Sequence, residues 1–135
     1  MNKIAKRMVR KDGTVSSRYE DAVARVMDKI LSGEKKARIH YSSWTGTRGH
    51  MKLDSILYKY LDVAEALGLK YTLGNDAPRG GAEGDYIEMR FDGRNSAVRT
   101  IRAKKEDIAL IGRHIHIMKD NAISLFNDII KGKQG

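Results

Sequence analysis

The chain contains no cysteine, which excludes disulfides, iron–sulfur clusters, thiolate zinc sites and a cysteine nucleophile. Its opening stretch, MNKIAKRMVRKDG, has no apolar core of the length a signal peptide needs. No later apolar run approaches the roughly 20 residues that span a bilayer, so a cytoplasmic protein without a membrane partner is expected. Acidic residues are in short supply. Lys plus Arg number 26 against 17 Asp plus Glu, a formal net charge of +9. A surplus of that size attracts phosphates, whether on nucleic acid, a nucleotide or a membrane surface, although like-charge repulsion for solubility is the plainer reading. Aromatic residues are only 7%, and no RNA-recognition signature or zinc finger is present, which counts against a standard nucleic-acid module.

What remains is an ordinary globular composition, 41% hydrophobic and 32% charged, in a chain of 135 residues. That is the size of one domain with a real core. No internal repeat, low-complexity tract or linker divides it, so residues 1–135 are read as a single α+β ligand-binding domain. The first ten residues alternate Lys3, Lys6, Arg7 and Arg10 with Ile4, Met8 and Val9. The following Asp12-Gly13 makes this either a short hairpin or a basic arm. Ser17-Arg18-Tyr19-Glu20 has the form of a capping box. Behind it Ala22, Val23, Val26, Met27, Ile30 and Leu31 repeat at helical spacing until Gly33, which predicts a helix over 17–32.

Residues 36–43 predict a strand, with Ala37, Ile39 and Tyr41 alternating against Arg38, His40 and Ser42. A helix over 51–67 follows, with Leu53, Ile56, Leu57, Tyr60, Leu61, Ala64 and Leu67 inward and Gly68 as its stop. Strands are expected at 69–73 and 86–91, and Asp92-Gly93 is read as a turn into a weaker fourth strand over 97–102. From 104 to 131 the pattern is helical. Ile108, Ile111, Ile115, Met118, Ala122, Leu125 and Ile129 form a heptad-like seam, widened by Leu110, Ile117, Ile123 and Phe126. Such a seam packs on the sheet or pairs with a second copy, so a homo-oligomer through the C-terminal helix is expected. The fold class is α+β: a small three- to four-stranded sheet covered by helices, with a long C-terminal helix.

Two Gly/Arg segments carry the chemistry. In Gly74-Asn75-Asp76-Ala77-Pro78-Arg79-Gly80-Gly81-Ala82-Glu83-Gly84, Pro78 stiffens the chain and Gly80 and Gly81 allow backbone amides close to a ligand. Arg79 offers a fork suited to phosphate. In Ser43-Trp44-Thr45-Gly46-Thr47-Arg48-Gly49, at the start of a helix, amides, hydroxyls and Arg48 make a natural anion site, and Trp44 can stack on a base or plug the core. The P-loop spacing is missing, so nucleoside triphosphate hydrolysis is not suggested. The expected ligand-binding residues are Asn75, Asp76, Arg79, Gly80, Gly81, Trp44, Thr45 and Arg48, with Arg90 and Arg99 as additional basic contacts. His114 and His116, two apart on a helix, point in different directions and cannot share a metal. Asp76, Glu83 and Asp85 would suit magnesium, but such residues more often serve as turn makers. No catalytic residue, metal or cofactor is assigned, and the chain is read as a binding protein rather than an enzyme.

The segment Gly74-Asn75-Asp76-Ala77-Pro78-Arg79-Gly80-Gly81, the second in chain order, continued by Gly84-Asp85-Tyr86-Ile87 and preceded by Ala66-Leu67-Gly68-Leu69, resembles small phage proteins that counter the bacterial Thoeris defence by sequestering its signal. The resemblance spans roughly residues 36–91 and rests mainly on one loop. It implies a non-catalytic anti-defence sponge in the host cytoplasm, oligomeric, that captures cyclic ADP-ribose isomers and in some members cyclic oligonucleotides. Two alternatives stand beside it: a basic DNA- or RNA-binding protein using a sheet face, and a small magnesium nuclease built on Asp76, Glu83 and Asp85.

Overall fold

The computed structural model describes residues 4–41, 49–78, 84–108 and 115–134. Near the N-terminus the hairpin reading holds. Val9 and Val15 form an antiparallel bridge. Arg10 donates its amide to the Thr14 carbonyl at 2.7 Å, and Gly13 takes a positive φ of 85° at the turn. Met8 and Val15 are fully buried, so the basic segment is anchored to the core.

The first helix, α1 (Glu20–Leu31), buries the six apolar residues expected from its periodicity. Its start differs from a capping box. Ser17–Tyr19 is a 3-10 turn, and no side chain caps either that turn or the helix. Tyr19 is instead drawn into the core, where its hydroxyl donates to Asp62, and that tertiary bond sets the entry of the chain. Glu20 and Asp21 still favour the helix by lying at the positive end of its dipole. The helix stops at Gly33, whose φ of 81° only glycine adopts cheaply.

Strand β1 (Lys36–His40) is followed by α2 (Gly49–Leu67), which ends in a Schellman turn in which the Leu69 amide donates to Ala64 O at 2.8 Å. Then come β2 (Lys70–Asn75) and β3 (Asp85–Arg90). The three strands form one antiparallel sheet in the order β1-β3-β2, with Arg38 opposite Glu88 and Thr72 opposite Glu88 on the other side. Ala37, Ile39, Ile87 and Met89 face the helices and are buried, while Lys36, Arg38, His40, Lys70 and Thr72 face solvent.

Two expectations fail beyond β3. Residues 97–102 are not a fourth strand but part of α3 (Ser96–Ala103), so the sheet has three strands among the described residues. Ala97, Val98 and Ile101 are the buried positions, a helical spacing rather than an alternation. Asn95 decides the matter: its side chain accepts from the Val98 amide as an N-cap, and its Nδ2 donates to the carbonyls of Leu67 and Gly68 at the end of α2. The continuous helix over 104–131 is also absent. The chain makes a 3-10 turn at Lys105–Asp107, is extended at Ile108 with ψ of 118°, and becomes helical as α4 (Ile115–Gln134).

Within α4, Ala122, Ile123, Leu125, Phe126 and Ile130 are buried, and the helix packs extensively on α1. Over 122–130 Ala122 and Leu125 of the seam are therefore buried inside the chain and Ile129 is partly buried. Ile111 and Leu110, and the side chains of Ile115, Ile117 and Met118, lie outside the described residues. The observed class is mixed α+β: four helices and a three-stranded antiparallel sheet among the described residues, with a C-terminal helix. No helix among those residues is long and apolar enough to cross a membrane.

Candidate functional site: a basic cleft at one end of the sheet

One face of α1 carries Asp21, Arg25 and Asp28, and Arg18 in the preceding turn continues the same spacing of three and four residues. This stripe forms one wall of a cleft of about 550 Å³. The 3-10 turn supplies Arg18. The opposite wall comes from Ile56, Lys59 and Tyr60 of α2, and Lys119 and Ala122 of α4 close it, with His40 and Tyr41 at the end of β1. Four cations, Arg18, Arg25, Lys59 and Lys119, meet two carboxylates there among the described residues.

Lys119 donates to Asp21 at 2.6 Å. That bond holds the Asp21 carboxyl below the usual carboxylate range and raises Lys119. Arg25 donates to the Tyr60 hydroxyl at 3.3 Å. Burial of Tyr60 pushes its phenol up, so it stays a neutral donor and acceptor at the cleft wall.

His40 links the cleft to the second Gly/Arg segment. Its Nε2 lies 2.9 Å from Asp76 Oδ2, and its ring stands edge-on to Tyr86 at 5.6 Å. The neck of that segment is closed by the Asp76 amide bonding Gly84 O at 3.1 Å. Asn75 Oδ1 accepts from the Ala77 amide, and Asn75 Nδ2 donates to Asp85 at 2.7 Å. Gly84 backs directly onto the Ala77 backbone, leaving no room for a Cβ. The first segment enters from Tyr41, itself a cleft residue. Tyr41, which precedes the first segment, and the neck of the second therefore lie at the same end of the sheet, next to His40.

Of the residues expected to bind ligand, Asn75 and Asp76 thus shape the loop neck. Trp44, Thr45, Arg48, Arg79, Gly80 and Gly81 lie outside the described residues. Arg90 is on the outer sheet face, bonded to Asp92 at 2.9 Å, and Arg99 is exposed on α3. Neither is among the residues lining the cleft. Of the carboxylates suited to magnesium, Asp76 is held by His40 and Asp85 by Asn75, while Glu83 lies outside the described residues.

The cleft residues Arg18, Arg25, Lys59, Tyr60 and Lys119 were not singled out by the sequence. Their signal was the three-and-four spacing of charges beside the apolar face of α1, which looks like any solvated helix side until another helix is placed opposite. No family model, curated protein or solved structure matches the chain.

Proposed function

We propose that this chain is a non-catalytic binding protein that sequesters a small, phosphate-bearing ligand of nucleotide size in the cleft between α1, α2 and α4. The observation that carries this reading is a cation-rich cleft at the sheet end from which both Gly/Arg segments depart. Its volume, about 550 Å³, falls within the range of small-molecule sites. Arginine and lysine around such a space give charge-assisted bonds to phosphate oxygens, and Tyr60 and Tyr41 supply aromatic walls for a base or ribose. The resemblance to signal-sequestering phage proteins points to cyclic ADP-ribose isomers, with cyclic oligonucleotides as the related class.

Isothermal titration against cyclic ADP-ribose isomers, cyclic dinucleotides and ADP tests the proposal. At least one should bind and be recovered chemically unchanged. Arg25→Ala should weaken it about tenfold or more, the cost of one lost charge-assisted bond, with its melting checked separately because Arg25 also holds Tyr60. No heat from any of these ligands, or an Arg25→Ala and Arg79→Ala pair that binds like the parent, would sink the idea.

A further inference from the structure

The helices cover only the inner face of the sheet, and the outer face is open and charged. Register places Lys36, Arg90 and Lys70 side by side in one row across all three strands. Like charges directly opposite on neighbouring strands are destabilising, so this row works against the fold. Asp92 pairs with Arg90, while among the described residues Lys36 and Lys70 form no ion pair. With strands about 4.8 Å apart, the row spreads three cations over about 10 Å.

The next row is Arg38, Glu88 and Thr72, and the third is His40, Tyr86 and Gly74. Gly74 has a specific reason to be glycine. A Cβ there would stand 2.5 Å from the Tyr86 ring, so the ring lies across β2 over the bare backbone. Arg38 brings its guanidinium carbon to 4.5 Å from the centroid of the same ring. The Tyr86 ring is thus sandwiched between the Gly74 backbone and the Arg38 guanidinium, which lies over it and also bonds Glu88 at 3.1 Å. This Arg38–Tyr86 stack, with the guanidinium plane outward, occupies one end of the face, and the row of three cations occupies the other.

We infer that this outer face is a second binding surface, for single-stranded nucleic acid. Strand-binding surfaces combine a track of cations for the phosphates with a π surface, aromatic or guanidinium, on which bases stack. Both components are present here on one exposed sheet face, and a formal charge of +9 adds long-range attraction. An acidic protein partner would use the cations but has no need of a guanidinium stacked on Tyr86. The surface is separate from the cleft: of the cleft residues only His40 lies on this face.

Fluorescence anisotropy of the full chain with labelled 20-nucleotide oligo(dT), oligo(U) and a 20-base-pair duplex tests this inference. Single strands should bind more tightly than duplex and weaken steeply with salt. Lys36→Glu with Lys70→Glu should cost about tenfold or more and make the salt slope shallower by about 1.4. Tyr86→Leu should lose about fivefold or more while Tyr86→Phe, which keeps the ring, binds like the parent. Arg25→Ala in the cleft should leave strand affinity unchanged, which separates this surface from the ligand site. Absence of binding at low salt overturns the inference, as does parent-like binding by a folded Lys36→Glu, Lys70→Glu variant. Duplex binding as tight as single-strand binding, indifferent to Tyr86→Leu, also overturns it.

Discussion

Asp62 is the single charged side chain buried among the described residues, and two side chains give it three hydrogen bonds. Arg7 donates Nε and Nη2 to its two oxygens, each at 2.9 Å, and Tyr19 donates its hydroxyl at 2.7 Å. The contact spans 55 residues and pins the N-terminal hairpin to α2. Its energetics are asymmetric. Arg7 is half exposed and can rehydrate, whereas Asp62 at 4% exposure cannot. Arg7→Met should therefore cost about 3 kcal/mol in urea denaturation, because it leaves a buried carboxylate with one partner. A second change, Asp62→Asn, should recover part of that loss by removing the stranded charge. A cost under about 1 kcal/mol for Arg7→Met would mean that the pair behaves as an exposed ion pair.

Among the elements, α1 and α4 make the principal helix contact, and their interface decides what the C-terminal seam is for. Phe126 and Ile130 are fully buried there with Val23, Val26 and Met27 of α1 also inaccessible. Asn127 reaches from the same helix to accept the Val15 amide at 2.8 Å, tying α4 to the hairpin as well. Phe126→Ala should destabilise the fold by about 3–5 kcal/mol, the usual cost of an aromatic-sized cavity, measured by urea unfolding of the isolated chain. A loss below about 1 kcal/mol, or one that depends on protein concentration, would place Phe126 at a subunit boundary instead.

Across the molecule, stability should fall on both sides of neutrality, for opposite reasons. Asp21, Glu88 and Asp92 are held below the usual carboxylate range by Lys119, Arg38 and Arg90. A depressed folded-state value means that the unfolded chain binds protons first, so this contribution is present at neutral pH and is lost as pH falls through the folded values. Asp21 and Asp92 are exposed and Glu88 only partly buried, so the acid limb should be shallow and flattened by salt. Tyr19 and Tyr60 are raised, both chiefly by burial. The folded state keeps those protons where the unfolded chain has lost them, so stability should drop as pH rises above the ordinary phenol value of about 10. Thermal melts from about pH 3 to about pH 12 check both limbs. A flat alkaline limb in the parent, or an unchanged one in Tyr60→Phe, would contradict the buried-phenol account.

Local pattern was enough for much of this protein. The six buried positions of α1, the alternation of β1 and β3, the glycine stops at 33 and 68, and the turn at Asp12-Gly13 were all legible, because periodicity and positive-φ glycine act over a few residues. At α3 local pattern misleads: residues 97–102 alternate weakly like a strand, and it is Asn95, capping the helix and bonding the end of α2, that makes them helical. Net charge and the two Gly/Arg segments pointed to an anionic partner. They did not disclose the cleft, because Arg18 belongs to a 3-10 turn, Arg25 to α1, Lys59 to α2 and Lys119 to α4. Nor did they reveal the row of Lys36, Lys70 and Arg90, which exists only through the register of three strands far apart in sequence. A binding surface is a sum over distant residues, and only chain packing decides which charges stand together and which are neutralised by a neighbour.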